Sequence, residues 1–455
     1  MANVLSRLFA PVDMTEGSPG KKIIMFSIPM LIGNIAQQLY NTVDSIIVGQ
    51  FVGDNALAAV GSAGPIMNLL LVLFVGISVG IGIMVSQYHG ARQREELSHS
   101  IGTSITLTFI ASLIVMILAP LVSRPLLELL NTPESYIDWC ESYLLILLVG
   151  VMGSAYYNIL SGILRGFGDS TSALIYLLVA TVINIVLDYT FVRYFEMGVA
   201  GVALATIIAQ AVSAVLCYRK LRQMSDLFDS SRKYLIPRAF YTKLIVKLGI
   251  PSGLTQAVFS MAMLLVQNLS NSFGEQFVAA NVIVMRIDGF AMIPNFSFGT
   301  AMTTFAGQNI GAKRYDRVTQ GAKEGTIIAV VTSAVITGAI LILGKHLMAI
   351  FTSTPEVIAT SRLMMSILAV GYIAMAVTQC LSGVMRGAGD TMTPMWISLI
   401  TTVAIRVPVA YVLAWLTKSN TCVMVSLLVS WCSGAVLTFI AYRTGKWKKK
   451  AIDIK

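Results

Sequence analysis

Charged residues are scarce in this chain. Of its 455 residues only 12% are Asp, Glu, Lys or Arg, whereas 56% are hydrophobic and the mean hydropathy is +0.77. Soluble domains carry about 25% charged residues, so the composition excludes a soluble globular protein and indicates an integral membrane protein. The net charge of +10 does not indicate nucleic-acid binding, because the basic residues lie in short loops between apolar runs.

Residues typical of metal sites and nucleophilic catalysis are also few. The three histidines, His89, His99 and His346, form no cluster, and we find no Cys-His arrangement for catalysis. We therefore expect no metal centre, no cofactor and no enzymatic activity. We expect no signal peptide in the first 20 residues, since no cleavage site follows a short apolar core there. The five cysteines lack metal-ligand spacing and are expected to be buried free thiols: Cys140, Cys217, Cys380, Cys422 and Cys432.

Apolar runs of membrane-spanning length occur twelve times. The most polar stretch, 218–247, lies between the sixth and seventh runs and carries eight Lys or Arg residues. The pattern predicts an all-α integral membrane protein with an N-lobe at 1–221, a cytoplasmic linker at 222–242 and a C-lobe at 243–455. The runs lie at about 23–50, 56–85, 101–123, 141–163, 172–195, 199–218, 244–272, 277–306, 325–351, 360–383, 394–417 and 421–442.

The two halves of the chain repeat each other. The segment LSGILRGFGD at 160–169 recurs as LSGVMRGAGD at 381–390, with seven of ten positions identical. Three further matches share an offset of 221 or 222 residues: Ile28-Pro29 with Ile250-Pro251, Gln87 with Gln308, and the TPE at 132–134 with that at 354–356. Six spans per repeat is an even number, so the repeats are parallel. Two parallel six-helix lobes around a central cavity are typical of a transporter that rocks between two openings.

The basic residues predict the orientation. If the termini and the even-numbered loops share one side, that side holds 25 of the 32 Lys and Arg residues. The positive-inside rule places this side in the cytoplasm. We therefore expect a multi-pass protein of the prokaryotic cytoplasmic (inner) membrane with both termini cytoplasmic.

One face of the first apolar run is polar. In IPMLIGNIAQQLYNTVDSIIV (28–48) six polar residues fall within an arc of about 120° on a helix. A carboxylate near the bilayer centre costs about 3 kcal/mol, so we expect this face to line a polar cavity that contains Asp44. The six are Asn34, Gln37, Gln38, Asn41, Asp44 and Ser45.

A second acid lies in the fifth run. Thr181, Asn184 and Asp188 share one helical face there, and Asn158 and Thr206 in neighbouring runs are candidates to join them. Two buried carboxylates in one cavity repel each other, and this repulsion favours binding of a proton by one of them. Proton coupling requires such a property. The alternative is a hydrogen-bonded pair that only fixes two helices.

These features together resemble the multidrug and toxic compound extrusion (MATE) family over nearly the whole chain. The resemblance is carried by the Ile-Pro openings, the Gln-x-x-Gly-Ala-(Arg/Lys) loops and the paired Leu-Ser-Gly-x-x-Arg-Gly-x-Gly-Asp loops. It implies a secondary antiporter that extrudes amphipathic, often cationic compounds in exchange for protons or sodium. In those loops the glycines are typical of tight turns, and Arg165 is positioned to pair with Asp169, as Arg386 is with Asp390.

The resemblance is to the DinF type within the family. That type places an aspartate in the first helix and an Asn-x-x-x-Asp pair in the fifth, and Asp44, Asn184 and Asp188 match it. We expect these residues to form a coupling-ion and substrate site, which for sodium would use the same three side chains. Gln37 and Asn41 of the polar face are expected in the same site, and Asn158 and Thr206 are weaker matches to the pattern.

The C-lobe departs from this pattern. The residue equivalent to Asp44 is Val266, although Gln256 keeps a polar position in the same run. Basic residues stand in the eighth and eleventh runs instead, at Arg286 and Arg406, with Asp288 beside the former. Ion pairing and substrate contact both remain open for these C-lobe residues.

The sequence therefore predicts a monomeric multidrug efflux antiporter that works by alternating access with protonation of N-lobe aspartates. Its expected partners are amphipathic cations, H⁺ or Na⁺, and membrane lipid. The alternative is a lipid-linked precursor flippase of the same superfamily, which would require several cationic residues in its cavity to bind a pyrophosphate.

Overall fold

The computed structural model describes residues 11–129 and 132–452, and within these residues the chain is helical and contains no strand. Apolar runs bounded by Gly, Pro and charged loops become long helices, because every backbone polar group in a membrane must be satisfied within its own segment. The predicted all-α class and the layout of twelve spans in two lobes are confirmed.

The first six predicted spans coincide with helices α1 to α7. The fourth is a pair bent by 52° at Gly150. The helices are α1 (Pro19–Phe51), α2 (Asp54–Gly90), α3 (Arg94–Leu129), α4 (Ile137–Val149), α5 (Val151–Gly166), α6 (Ser170–Arg193) and α7 (Gly198–Gln223).

The other six spans comprise α8 to α15, and two of them contain irregular turns. The eighth breaks at Met292, just before Pro294, and the eleventh contains a π-helical turn, Ile400–Arg406. The helices are α8 (Ala239–Asn271), α9 (Glu275–Ala291), α10 (Ile293–Gly311), α11 (Tyr315–Ala349), α12 (Pro355–Gly387), α13 (Met392–Leu399), α14 (Val407–Thr417) and α15 (Cys422–Arg443).

Hydropathy supports the membrane assignment for these helices. Ten are long and apolar enough to cross a membrane, with α9–α10 and α13–α14 each taken as one, and the α4–α5 pair is an eleventh. The remaining span, α8, has 33 residues, more than the roughly 20 that a bilayer requires.

The chain forms two compact units. One includes Ile32–Gly253 and the other includes Asp13–Leu31 with Leu254–Lys455. Two helices are therefore divided, α1 after Leu31 and α8 after Gly253, each two residues beyond a proline (Pro29 and Pro251). Proline inside a helix removes one backbone hydrogen bond and loosens the helix there. The repeat and the compact units thus have different boundaries along the chain.

The paired loop motifs are helix caps. Asp169 Oδ1 accepts a hydrogen bond from Ser172 N at 2.9 Å, and Asp390 Oδ1 accepts one from Thr393 N at 3.2 Å. Each satisfies an orphan donor at the start of the next helix. The preceding residues Gly168 and Gly389 have φ of +90° and +92°, which glycine adopts without strain.

The expected pairs within these loops do not form. No ion pair among the described residues joins Arg165 to Asp169 or Arg386 to Asp390. Both carboxylates are already used as caps, and Asp169 Oδ2 instead lies 3.7 Å from Lys220 Nζ. The pairing prediction was wrong, whereas the prediction of tight glycine turns is confirmed.

Glycines allow close helix packing inside each unit. In the first, a Cβ on Gly76 of α2 would lie 2.6 Å from the carbonyl oxygen of Gly249 in α8. In the second, Gly383 of α12 packs directly against the backbone of Gly299 in α10. These backbones approach each other closely because neither glycine has a side chain.

Candidate coupling site in the first unit

Two carboxyl groups meet between α1 and α6. Asp44 is 8% exposed and Asp188 is fully buried, and each carboxyl group presents an oxygen to the same side-chain amide, that of Asn184. A carboxylate can only accept hydrogen bonds, so two carboxyl groups placed this near each other could bond directly only if one of them bound a proton. This arrangement brings together the two acids that the sequence singled out.

Asn184 bridges the two acids. It lies one turn before Asp188 on α6 and is fully buried. With its amide nitrogen facing the acids, Nδ2 donates to Asp44 Oδ1 at 2.8 Å and to Asp188 Oδ2 at 3.1 Å. This orientation follows from its neighbours, because both groups that it faces are acceptors.

One acceptor of the cluster stays unused. Asp188 Oδ1 is buried and has no hydrogen-bond partner among the described residues. A buried carboxyl oxygen without a donor is costly, and protonation of this group or arrival of a donor would relieve that cost. The geometry therefore allows the pair to bind a proton or a cationic ligand.

Two tyrosines surround the pair. Tyr40, one turn before Asp44, donates from its hydroxyl to Thr206 Oγ1 of α7 at 3.2 Å. Tyr143 of α4 is buried in a hydrophobic cluster with Ile47 of α1 and Val192 of α6, each about one helical turn from one of the two acids. Sequence reasoning missed both. The i, i+4 spacing of Tyr40 and Asp44 was an available signal, whereas nothing in the sequence places Tyr143 beside them.

The other N-lobe candidates form no hydrogen bond to the pair among the described residues. Gln37 is half-buried and Asn41 is exposed, and neither hydrogen-bonds to Asp44 or Asp188 among the described residues. Asn158 Nδ2 donates to Ser154 O at 2.8 Å within its own helix. Thr206 reaches the cluster only through Tyr40.

The polar arc of α1 is therefore not buried as a whole. On a helix of 100° per residue Asp44 lies at one edge of that arc, beside a buried face that includes Gly33, Ala36 and Tyr40. Ser45 and Asn41 lie further from this buried face around the helix, and both are exposed. The aspartate consequently faces α6, while the remaining polar residues are exposed or half-buried.

The C-lobe candidates are spread over several positions. Arg286 and Gln256 are exposed, whereas Arg406 is buried. Asp288 Oδ1 accepts a hydrogen bond from Tyr372 of α12 at 2.9 Å. No ion pair within 4.0 Å joins Asp288 to Arg406 among the described residues.

The first unit offers limited ligands for a metal ion. Among the described residues no group of three or more His, Cys, Asp or Glu is arranged to hold one. Asp44, Asp188 and Asn184 provide oxygens of the type that sodium prefers. In the orientation given above, Asn184 presents its nitrogen to the acids, so its amide must turn before its oxygen can bind a cation there.

The sequence matches the MatE family model twice, at residues 29–190 and 251–412. The chain belongs to the MatE family. The two matches begin 222 residues apart, one in each half, in agreement with the internal repeat. Members of this family are transporters and not enzymes, so the prediction that the chain is not an enzyme is confirmed.

Relatives of the chain carry names of multidrug transporters. It is 31% identical to a probable multidrug resistance protein, YpnP of Bacillus subtilis, with 96% of this chain and 97% of that protein covered. It is 26% identical to the probable multidrug resistance protein NorM of Thermotoga maritima, with 95% and 94% covered.

Solved transporters share the fold. A crystal structure of MATE in complex with MaL6 superimposes with a TM-score of 0.91 at 25% identity, covering 96% of this chain and 99% of that one. A MOP superfamily transporter from Pyrococcus furiosus, described as having a binding pocket of reversed polarity, gives 0.90 at 25% identity, with 97% and 99% covered. This MatE chain is thus a multi-pass membrane transport protein.

Proposed function

We propose that this MatE transporter is a multidrug efflux antiporter that extrudes amphipathic cations in exchange for protons. The observation that carries the proposal is the buried Asp44–Asp188 carboxyl pair, bridged by Asn184. The multidrug names of relatives that align over nearly the whole chain support the substrate class.

The chemistry of the pair suggests how exchange works. When deprotonated, the two carboxylates attract a cationic substrate, and their position within an apolar helix packing strengthens that attraction. A proton bound by the pair lowers its negative charge and allows one carboxyl group to donate a hydrogen bond to the other, so substrate and proton compete for the same groups. Competition of this kind is sufficient to couple two fluxes in a protein with two openings.

The backbone of α1 offers a way for this change to move a helix. Asp44 lies in one compact unit, while the start of α1, including Pro29, lies in the other. Proline loosens the helix at that point. Repartnering of Asp44 between proton and substrate therefore acts on a helix that is able to bend at Pro29 and Gly33.

The remaining parts of the proposal concern the membrane. We place both termini in the cytoplasm, on the basis of the Lys and Arg distribution, and we take the monomer as the working unit. The membrane potential supplies about 2.3 kcal/mol per charge per 100 mV, which drives export if one net charge moves per cycle.

The flippase alternative is less favoured by the site. A lipid pyrophosphate requires several convergent cations, and the coupling site is acidic. In the second unit Arg406 is buried but Arg286 is exposed. One buried arginine is a poor match for that headgroup.

The decisive experiment uses vesicles that contain the purified full chain. A proton gradient and then a sodium gradient are imposed, and release of a cationic dye is followed for the wild type, Asp44→Asn and Asp188→Asn. We expect the proton gradient to drive dye movement in the wild type. Each variant should lose at least tenfold in rate, because the amide cannot exchange a proton.

Asp226→Asn is the matched control, since Asp226 is exposed in the linker and carries the same substitution. It should transport dye like the wild type. If only sodium drives the dye, the coupling ion is sodium. If Asp44→Asn transports at the wild-type rate under either gradient, the pair has a structural role and the proposal fails.

A further inference from the structure

A folded turn follows the last α-helix of the chain. α15 ends at Arg443, and the chain then passes through Gly445, whose φ of +68° glycine adopts without strain. A 3₁₀-helix, Lys446–Lys449, comes directly afterwards. Residues 444–450, here called the C-terminal turn, therefore form a defined structure at the end of a membrane-spanning helix.

Trp447 fixes the C-terminal turn to α15. Its side chain is only 2% exposed, its Nε1 donates to Tyr442 O at 2.9 Å, and its ring stacks on the ring of Tyr442 at 5.4 Å. Lys450 N donates to Trp447 O at 3.0 Å and closes the turn. An indole that is buried, stacked and hydrogen-bonded contributes strongly to packing, so the residues on either side of it keep a fixed position relative to α15.

The residues around this tryptophan are cationic. No acid occurs in 443–452, and Asp453, the next acid along the chain, lies outside the described residues. Lys448 Nζ lies 5.6 Å from the centre of the Trp447 ring. Five exposed cations of this segment take part in no ion pair within 4.0 Å among the described residues: Arg443, Lys446, Lys448, Lys449 and Lys450. Their charge is therefore available to an anionic partner.

The position of these charges favours a membrane surface as that partner. They begin where α15, a helix of 22 residues that is apolar enough to cross a membrane, comes to its end. Groups of four to eight Lys or Arg residues directly after a membrane span are typical of binding to anionic lipid headgroups. The side chains are on the surface of the protein, so a headgroup reaches them without entering a cavity.

We propose that the C-terminal turn is a binding surface for anionic phospholipids, whose phosphate groups accept charge-assisted hydrogen bonds from its lysines. Lysine suits this role, because each ammonium group offers three donors and binds phosphate as a point charge. Trp447 holds the lysines in place, so the surface is formed before a lipid arrives. The proposal concerns the lipid around the transporter and not its cargo, and it does not depend on the proposed exchange of cations for protons.

Native mass spectrometry of the purified, delipidated full chain in detergent tests this proposal. The chain is titrated with phosphatidylglycerol and with phosphatidylcholine of the same acyl chains, and the dissociation constant of the first bound lipid is measured. We expect the wild type to bind phosphatidylglycerol at least tenfold more tightly, since each Lys or Arg near an anionic membrane surface contributes about fivefold. Glycerol phosphate offers the phosphate without acyl chains, and an equal concentration of it should not compete with the lipid.

Two triple variants locate the surface. The first combines Lys446→Gln, Lys449→Gln and Lys450→Gln, and it should lose at least tenfold of the preference for phosphatidylglycerol. Lys448 is kept because it packs on Trp447. The matched control should keep the wild-type preference, and it removes three exposed cations elsewhere in the chain through Lys345→Gln, Arg362→Gln and Lys418→Gln. Thermal melting in detergent checks that each variant is folded.

Trp447→Ala separates charge from geometry, because it keeps every lysine and removes the residue that fixes the turn. We expect it to bind phosphatidylglycerol less tightly than the wild type and more tightly than the triple lysine variant. Binding at the wild-type affinity by folded Trp447→Ala would contradict the role given to Trp447.

Three results would overturn the proposal: equal binding of the two lipids by the wild type, an unchanged preference in the folded triple lysine variant, or competition by glycerol phosphate. If the triple lysine variant does not fold, Lys449→Gln and Lys450→Gln are measured singly. Each should then lower the preference severalfold, and an unchanged preference in both contradicts the proposal. The assay uses no ion gradient, so failure of proton-driven dye transport leaves its result readable.

Discussion

At the scale of single residues, polar groups in apolar helices were the most informative part of the sequence. Asp44, Asn184 and Asp188 stood out because each is expensive in a membrane, and the structure places them in contact. Asn41, which the same reasoning selected, is exposed, and its place in a ligand site stays a prediction. Helical periodicity gives a residue's angle on its own helix, but the neighbouring helix decides which edge of a polar arc is buried.

Partners from distant parts of the chain were beyond such reasoning. Tyr143 approaches the pair only because α4 packs beside α1 and α6 in the folded unit, where Tyr143 shares a hydrophobic cluster with Ile47 and Val192. Likewise, the sequence left open whether Asp288 pairs with Arg406. In the structure Asp288 Oδ1 accepts a hydrogen bond from the Tyr372 hydroxyl. These two residues are 84 positions apart, and no rule of sequence spacing relates residues so far apart.

The cap at Asp390 gives a residue-scale prediction. Asp390→Ala removes the acceptor for Thr393 N and Thr393 Oγ1 and should lower stability by about 0.5–2 kcal/mol. Asp390→Asn should stay close to the wild type, because asparagine also caps helices. Thermal melting in detergent measures the difference. If both variants melt alike but both lose dye transport, Asp390 contacts substrate and is not primarily a cap.

At the scale of helices, hydropathy predicted where spans lie but not where they break. The fourth, eighth and eleventh predicted runs each contain a bend or an irregular turn, at Gly150, Met292 and Ile400–Arg406. A hydropathy average counts apolar side chains and is insensitive to the backbone hydrogen bonds that a break disturbs. Predicted runs also ended too early. The second run was predicted to end at about residue 85, whereas α2 continues to Gly90 through residues that are polar yet still helical.

Close packing of α2 on α8 gives a prediction at this scale. A Cβ on Gly76 would meet the carbonyl oxygen of Gly249 at 2.6 Å and Gly253 Cα at 2.9 Å. Backbone atoms cannot move aside as a flexible side chain does, so Gly76→Ala should lower stability by about 1–3 kcal/mol. The measurement is thermal melting of the purified protein in detergent.

Gly61→Ala is its matched control on the same helix. No atom lies within 4 Å of a Cβ at Gly61, and alanine favours helix over glycine by up to about 1 kcal/mol. This variant should melt at the wild-type temperature or above it. Equal melting of the two variants would show that the α2–α8 contact is looser than the structure indicates.

At the scale of the whole molecule, the repeat was predicted from sequence, whereas the assignment of chain segments to compact units was not. A repeat is visible as matched residues at offsets of 221 and 222. That the start of α1 belongs to the unit of the second half, and the start of α8 to the unit of the first, follows from tertiary packing. Each divided helix has a proline two residues before the division. The two Ile-Pro motifs are thus explained as the points where a helix passes from one compact unit to the other.

Orientation in the membrane gives the last prediction. An even number of spans puts both termini and the linker on one side, and we propose from the Lys and Arg excess that this side is cytoplasmic. Single cysteines are introduced at Arg232 in the linker and at Lys418 between α14 and α15, both exposed, after replacement of the five native cysteines. In intact cells a membrane-impermeant maleimide should label Lys418→Cys and leave Arg232→Cys unlabelled, and in inside-out vesicles the pattern should reverse.

The control is the cysteine-free parent, which must stay unlabelled in both preparations. Labelling of Arg232→Cys from outside would show that the orientation is the reverse of the one proposed. The proton gradient proposed to drive export would then act on the opposite opening.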